Sequence, residues 1–239
     1  MDMMMIRRAL LAQALQATSP IPVNPYITDG LVFWLDGIYK GDDNTVWTDL
    51  IGNRSFTLTD CTFTTDGVDF NGSTSGGLWN GKIEVHYSAG TIEAVYDIDD
   101  PDTANWGAIL QPDSSRANIG MIIRKKKTSA IPAGTVVIDF HNGSGSNTRR
   151  KTAAYTGTTS VSSSRGYSNG VSMSTVALSA LGCNSGEWVS IGYRANDSGG
   201  QRFDGRIKCI RIYNRKLTAD EVLSNQQVDN TRFNLGLNI

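Results

Sequence analysis

Cysteine is scarce in this chain: Cys61, Cys183 and Cys209 are the only three in 239 residues, too few and too scattered for a disulfide framework or a zinc site. Synthesis and assembly in a reducing cytoplasm fit such a chain. Histidine is scarcer still. Neither His86 nor His141 has a nucleophile or acid neighbour at the spacing of a catalytic triad or a metal site, so each reads as an ordinary strand-end residue. An excess of one charge is also missing, because 22 Lys and Arg against 23 Asp and Glu leave a formal net charge of −1. No long-range field draws such a chain to nucleic acid or to an anionic membrane, and no nucleic-acid partner is expected. No apolar run approaches the roughly 20 residues of a membrane-spanning helix, so membrane insertion is not expected either. Prolines number only 6 against 25 glycines, with 39% hydrophobic content, which suits a folded and turn-rich chain. Its length supports a core of ordinary size without staples, and one large domain is the simplest division.

What the chain does have is a succession of β-rich runs, at 31–35, 45–48, 55–58, 68–70, 83–87, 91–98, 107–110, 119–124, 135–140, 172–178, 188–193 and 207–213. Between them Asn71-Gly72, Asn80-Gly81, Asn142-Gly143 and Asn169-Gly170 supply the positive-φ residues of tight hairpins. At least ten strands and hardly any internal helix predict an all-β fold of two antiparallel sheets, since each sheet must bury one face. The Ser/Gly-rich run 158–170 reads as a mobile loop.

The first residues follow a different pattern. Met3, Ile6, Leu10 and Ala14 recur at spacings of three and four, with Met4, Leu11 and Leu15 beside them, as on an amphipathic helix. Arg7-Arg8 before Ala9-Leu10-Leu11-Ala12 superficially suggests a secretory signal, but Asp2 precedes the basic pair and Gln13 and Gln16 interrupt a very short apolar run. A helix about 20 Å long is not stable alone in water and needs something to pack on. Pro20, Pro22 and Pro25 then break it and extend the chain. Residues 1–27 are therefore read as a helical anchor with a Pro-containing linker, and 28–239 as the β domain.

Near the other end, Asp204-Gly205 reads as a turn, 207–213 as a strand and Thr218 onward as a short helix. Thr218 and Glu221 have the spacing of a capping box, and Leu217 with Val222 fits a hydrophobic staple across it. Within the strand the alternation slips, because Ile207 and Cys209 share one face while Ile210 and Ile212 share the other. A bulge, or burial on both sides, accounts for this.

The pattern Phe203-x-Gly205-x-Ile207-x-x-Ile210-Arg211-Ile212-Tyr213-Asn214-Arg215, followed by Leu217-Thr218-x-x-Glu221, resembles the closing segment of laminin-G-like domains of the concanavalin A-like lectin/glucanase superfamily. Four further stretches agree in order: Asp29-Gly30-Leu31-Val32-Phe33-Trp34-Leu35-Asp36-Gly37, Trp47-Thr48-Asp49-Leu50-Ile51-Gly52-Asn53, Gly67-Val68-Asp69-Phe70-Asn71-Gly72 and Glu187-Trp188-Val189-Ser190-Ile191-Gly192-Tyr193. The resemblance implies a jelly-roll sandwich with a concave face. The tail Val228-Asp229-Asn230-Thr231-Arg232-Phe233-Asn234-Leu235-Gly236 resembles, more narrowly, such proteins in bacteriophages and prophages of gut bacteria.

The superfamily includes glucanases whose catalytic strand resembles Glu-x-Asp-x-Glu. The nearest match here is Glu93-Ala94-Val95-Tyr96-Asp97, where Val95 replaces the central Asp and Asp97 the final Glu. Strand periodicity puts Glu93, Val95, Asp97 and Asp99 on one face, which reads as a solvent-facing row of acids, and no enzyme is expected. Many laminin-G-like domains hold calcium at the sandwich rim. Asp97, Asp99, Asp100 and Asp102 offer hard oxygen ligands for it, with an acidic, hydrated turn as the competing reading, so no cofactor beyond that calcium is expected. Trp34, Trp47 and Trp188 read as core. Trp79, Trp106, Tyr155 and Tyr167 are the candidates for stacking on sugar rings, or else they cap the ends of the sheets. Arg124, Lys125, Lys126 and Lys127 with Arg149, Arg150 and Lys151 flank the run 135–140, as a patch for an anionic polysaccharide or as a solvated edge that blocks strand aggregation.

Together these readings give the expectation of a non-enzymatic bacteriophage virion protein, of head or tail fibre or decoration type, assembled in the bacterial cytoplasm. Its N-terminal segment, through Met3, Ile6, Leu10 and Ala14, would dock on other virion proteins or on a sister copy in a homo-oligomer, and its lectin-like domain would contact a host cell-surface glycan. A glycoside hydrolase and a purely architectural decoration protein are the alternatives.

Overall fold

A computed structural model of the chain describes residues 23–81, 89–98, 107–112, 121–124, 136–139, 150–158, 165–168, 171–172, 189–193 and 202–239. Its elements are β1 (Leu31–Asp36), β2 (Val46–Thr48), β3 (Ser55–Thr59), β4 (Thr62–Phe63), β5 (Val68–Asn71), β6 (Gly76–Trp79), β7 (Ala89–Ile98), β8 (Gly107–Pro112), β9 (Met121–Arg124), β10 (Val136–Asp139), β11 (Arg150–Thr158), β12 (Arg165–Ser168), β13 (Val171–Ser172), β14 (Val189–Ile191), β15 (Asp204–Tyr213) and the helix α1 (Ala219–Arg232). One sheet runs β13-β12-β11-β7-β15-β5-β4, with β1 also paired to β15, and the other runs β10-β9-β8-β14-β6-β3-β2. The pairing is antiparallel except at one edge, where β10 lies parallel to β9. The expected two-sheet sandwich is therefore the observed one. The anchor residues Met3, Ile6, Leu10 and Ala14 lie outside the described residues, as do His86 and His141.

The inner faces of the two sheets bury one apolar layer, with Ile92, Ala94 and Tyr96 of β7 and Ile207, Ile210 and Ile212 of β15 facing Phe56, Ile109, Val189 and Ile191 across the gap. The slipped alternation of β15 has both of its proposed causes. A bulge makes Lys208 the extra residue between the pairs Ile207↔Tyr96 and Cys209↔Val95, which returns Ile207 to the inner face. Cys209 and Tyr213 are buried on the opposite face in a second apolar cluster with Trp34, Val95, Leu217, Val222 and Phe233. β15 is thus buried on both sides.

Two readings of the sequence are corrected, and one strand is added. Asp204-Gly205 is not a turn but the start of β15, paired with Asn71 and Phe70. The run 158–170 contains strand β12, paired with β11. Strand β11 itself carries no apolar alternation, yet it pairs with β7 through nine consecutive residues; an unbroken ladder on a central strand decides its conformation, whatever its own pattern.

Helix α1 lies against the outer face of the first sheet. Thr218 is its N-cap and the capping box with Glu221 is complete in both directions. Leu217 and Val222 are both buried in the outer cluster, as a staple requires. Arg215 grips Glu221 at 2.6 and 2.9 Å, and chiefly for that reason its carboxyl is lowered to about 2. Thr218→Ala is expected to cost about 1 kcal/mol in chemical denaturation at neutral pH. Because the folded carboxyl titrates below its ordinary value of 4.5, the contribution of Glu221 is complete above that pH and is lost as pH falls toward 2. Glu221→Gln should flatten that part of the stability profile.

Candidate functional site

The chemistry-bearing side chains that the fold gathers most tightly lie between α1 and the outer face of β1, β7 and β15. Alternation on β7 does put Glu93, Val95 and Asp97 on one face, but that face is not open to solvent. Glu93 is 1% exposed, a correction to the solvent-facing row, because α1 covers it. The Glu93 carboxylate accepts from Arg211 Nε at 2.8 Å and from Asn225 Nδ2 at 2.8 Å. Arg211 also forks onto Asp229 at 2.7 and 2.6 Å and lies 3.9 Å from the centre of the Tyr26 ring. Asn225 reaches Tyr213 Oη at 2.9 Å and accepts the Ile27 N–H at 3.0 Å. Arg232 donates to Tyr26 Oη at 2.6 Å and to Asp36 Oδ2 at 2.7 Å.

The sequence hides this arrangement because the buried stripe of α1 reads Val222, Asn225, Gln226 and Asp229. Three of the four are polar, so helical periodicity of apolar residues does not reveal it. Burial pushes the Glu93 carboxyl above the ordinary range against the pull of Arg211, and burial likewise raises the Tyr26 phenol and the Cys209 thiol. With the Arg211 guanidinium bonded to Glu93 and Asp229 and the Asn225 amide bonded to Glu93, Tyr213 and Ile27, this constellation holds the helix and the 23–29 strap to the sheet.

Asp97 belongs to a second charged row farther along the same face. Lys208 Nζ sits 2.6 Å from Asp66 and 3.1 Å from Asp97, while Arg206 contacts Asp69 at 2.6 Å and Asp66 at 3.0 Å. Register continues the alternation of sign across the sheet, since Arg206 pairs with Asp69 and Asp97, and Asp97 pairs with Arg150. Asp99, Asp100 and Asp102, the other acids of the calcium reading, lie outside the described residues. Asp97 itself is turned toward Lys208. Among the described residues no three His, Cys, Asp or Glu groups converge on a metal-sized space.

The sugar-stacking candidates are placed apart from one another. Trp79 is half-buried, packed at 6.2 Å on Phe56 with the Arg54 guanidinium 5.7 Å above its ring, so it closes one end of the inner layer. Tyr155 holds the register position of Ile92 and Tyr167 that of Ala154. These positions are of opposite parity, and the backbone does not bring them to one face. Trp106 lies outside the described residues, as do Lys125, Lys126, Lys127 and Arg149. Arg124 is on β9 and Arg150 and Lys151 are on β11, strands of different sheets. Adjacent-strand pairing is therefore not what could join the two basic runs, because β10 pairs back on β9 while β11 crosses to β7.

Two buried acids of the family-like motifs, Asp49 and Asp36, hold the backbone. Asp49 is fully buried and accepts the N–H groups of Trp34, Ile51 and Gly52 at 2.8, 3.1 and 2.9 Å, together with Arg54. Arg54 in turn donates to Val32 O at 3.0 Å, and Leu50 N–H donates to Trp34 O at 2.9 Å. The loop 49–54 thus satisfies the free edge of β1. Asp36 does similar work at the end of β1, accepting from Ile38 N and Trp34 Nε1 at 2.9 and 3.1 Å.

A family model of the laminin-G type, described as the concanavalin A-like lectin/glucanases superfamily, matches residues 71–223. In sequence, no curated protein matches the chain. Among solved structures, Trypanosoma rangeli sialidase in complex with sialic acid superimposes with a TM-score of 0.60 at 15% identity, over 95% of this chain and 39% of the sialidase. The binding domain of botulinum neurotoxin serotype D superimposes with a TM-score of 0.61 at 14% identity, over 86% of this chain and 53% of that one. The chain spans about two fifths of the first and half of the second. At these identities the likeness is one of fold.

Proposed function

Since the chain belongs to the concanavalin A-like lectin/glucanases superfamily through a laminin-G-type domain, we propose that it is a non-enzymatic, lectin-like structural protein of a bacteriophage particle that contacts glycans of the host surface. One observation carries the non-catalytic half of this reading. Glu93, the glutamate of the nearest match to the family's catalytic carboxylate pattern, is sealed beneath α1, with its Oε2 held by Arg211 and Asn225. A general acid or nucleophile must reach the scissile bond, with a second carboxylate about 5–9.5 Å away. Asp97, the remaining acid of that pattern, pairs with Lys208.

The virion half rests on the phage-like tail, residues 228–236, and on an amphipathic N-terminus that needs a partner. The tail's Asp229 and Arg232 are the helix residues that grip Arg211 and Asp36, so the stretch that carries the phage resemblance also closes the domain. Glycan contact by one copy is weak, and display in many copies on a particle compensates for it.

The test is a glycan array probed with the protein as a monomer and as a multivalent display. Binding is expected on bacterial surface glycans in the multivalent format. Silence at high multivalent concentration would favour a purely architectural protein. Loss of polysaccharide viscosity that Glu93→Gln abolishes would favour a hydrolase. Deletion of residues 1–16 is expected to prevent incorporation into particles.

A further inference from the structure

Of the Asn-Gly pairs that punctuate the strands, Asn142-Gly143 and Asn169-Gly170 lie outside the described residues. The other two share one local sequence, an aromatic residue before the pair: Phe70-Asn71-Gly72 and Trp79-Asn80-Gly81. Both asparagines are exposed, so access to solvent does not tell them apart. Hydrogen bonding does. Asn71 closes β5, and its Oδ1 accepts the N–H groups of Ser73, Thr74 and Ser75 at 2.9, 2.9 and 3.0 Å while its Nδ2 donates to Thr74 Oγ1 at 3.0 Å. The Asn71 N–H donates to Ser75 Oγ at 2.7 Å, and the Gly72 N–H donates to Phe203 O at 3.0 Å. Asn80 stands just past the end of β6. Among the described residues, neither its side-chain amide nor the Gly81 N–H has a hydrogen-bond partner. Gly72 takes a φ of +67°, as a hairpin glycine does, and Gly81 does not. Packing is what requires glycine at 81, because a Cβ there would lie 2.3 Å from Cζ2 of the Trp79 ring.

From this contrast we infer that Asn80 is a site of spontaneous deamidation and that the fold holds Asn71 against the same reaction. In the step, Gly81 N attacks Asn80 Cγ and forms a C–N bond, the Cγ–Nδ2 bond breaks, and the proton of the Gly81 N–H leaves with Nδ2 as ammonia. Water then opens the cyclic imide at either carbonyl, giving aspartate or isoaspartate. The reaction needs no oxidant and no enzyme. It needs a following residue without a Cβ, so that backbone nitrogen can approach the side-chain carbonyl, and an asparagine side chain free to turn toward that nitrogen. At Asn71 the side chain is clamped by the turn 73–75 and the attacking nitrogen is bonded to Phe203, so the turn must open first. At Asn80 no described hydrogen bond has to break. Either product sets a carboxylate next in sequence to Trp79, whose ring has the Arg54 guanidinium 5.7 Å from its centre. Isoaspartate also lengthens the backbone where it leaves β6. The inference does not depend on glycan contact, and neither result decides the other.

The test incubates the full chain in mildly alkaline buffer, folded and unfolded in guanidinium chloride, and follows aspartate and isoaspartate at each position by peptide mapping with mass spectrometry. In the folded chain Asn80 is expected to convert about tenfold or more faster than Asn71, whose rate is limited by local opening of its turn. Unfolding should bring the two rates together, because the local sequences match. Ser75→Ala, which removes the acceptor of the Asn71 N–H, should speed conversion at Asn71 and leave Asn80 unchanged. Equal rates in the folded chain, or a faster Asn71, would overturn the inference. So would an Asn80 that converts only when unfolded, or a difference that persists in guanidinium chloride, since sequence and not fold would then set it.

Discussion

Replacing Arg211 with alanine is expected to lower the free energy of unfolding by about 3–5 kcal/mol, a large part of the stability of a domain this size. The physical reason is asymmetry. Arg211 is 1% exposed and neutralises Glu93 and Asp229, each nearly as buried. Without it two carboxylates remain in a dry layer with no cation between them. Arg211→Lys should recover only part of the loss, because one ammonium cannot fork onto Asp229 and reach Glu93 together. Replacing Arg211, Glu93 and Asp229 together with apolar residues of similar volume should recover more than the lysine does. A pH signature separates this from a packing defect. Burial already holds Glu93 above its ordinary value of 4.5, so the folded state keeps that proton more tightly than the unfolded chain. The group therefore favours folding at low pH and opposes it as pH rises from 4.5 through the folded value. Arg211→Ala strengthens that effect, and its deficit in urea denaturation should widen between pH 4.5 and neutrality.

The second large effect is expected at Asp49. Asp49→Ala removes the acceptor of three backbone N–H groups and the partner of Arg54, and should cost about 3 kcal/mol. It should also change solution behaviour. The edge of β1 away from β15 is satisfied by the loop 49–54 in place of a strand, and once that loop loosens the edge becomes a template for another chain. Light scattering should rise with protein concentration in Asp49→Ala and less in Asp49→Asn, which keeps an acceptor for the Trp34 and Ile51 N–H groups but sets its amide NH2 against the Gly52 N–H and Arg54. If both variants scatter equally, the edge is not what the loop protects.

Both residues belong to stretches that carry the family resemblance, and both work on the backbone or under the helix. The motif residues define the fold, which is why the resemblance was informative about architecture and silent about a ligand. Trp34 and Trp47 show the same division. Each is buried as expected, yet each also spends its indole N–H on Asp36, by its side chain or its carbonyl.

Read alone, the chain determined its class, most of its strands and the start of α1, because these depend on neighbours in sequence: alternation over a few residues, Gly at positive φ, a threonine three residues before a glutamate. It also marked where β15 slips. Tertiary structure decided everything that depends on what lies across a gap. It made a strand of β11, which has no pattern of its own, by laying it along β7. It turned Glu93 from an apparent surface acid into the partner of Arg211, because a helix with a polar buried stripe covers it. It put Arg124 in one sheet and Arg150 and Lys151 in the other, because β10 pairs with β9 and β11 with β7. Burial of charge is a property of facing surfaces, and no spacing along one chain encodes which surface will arrive.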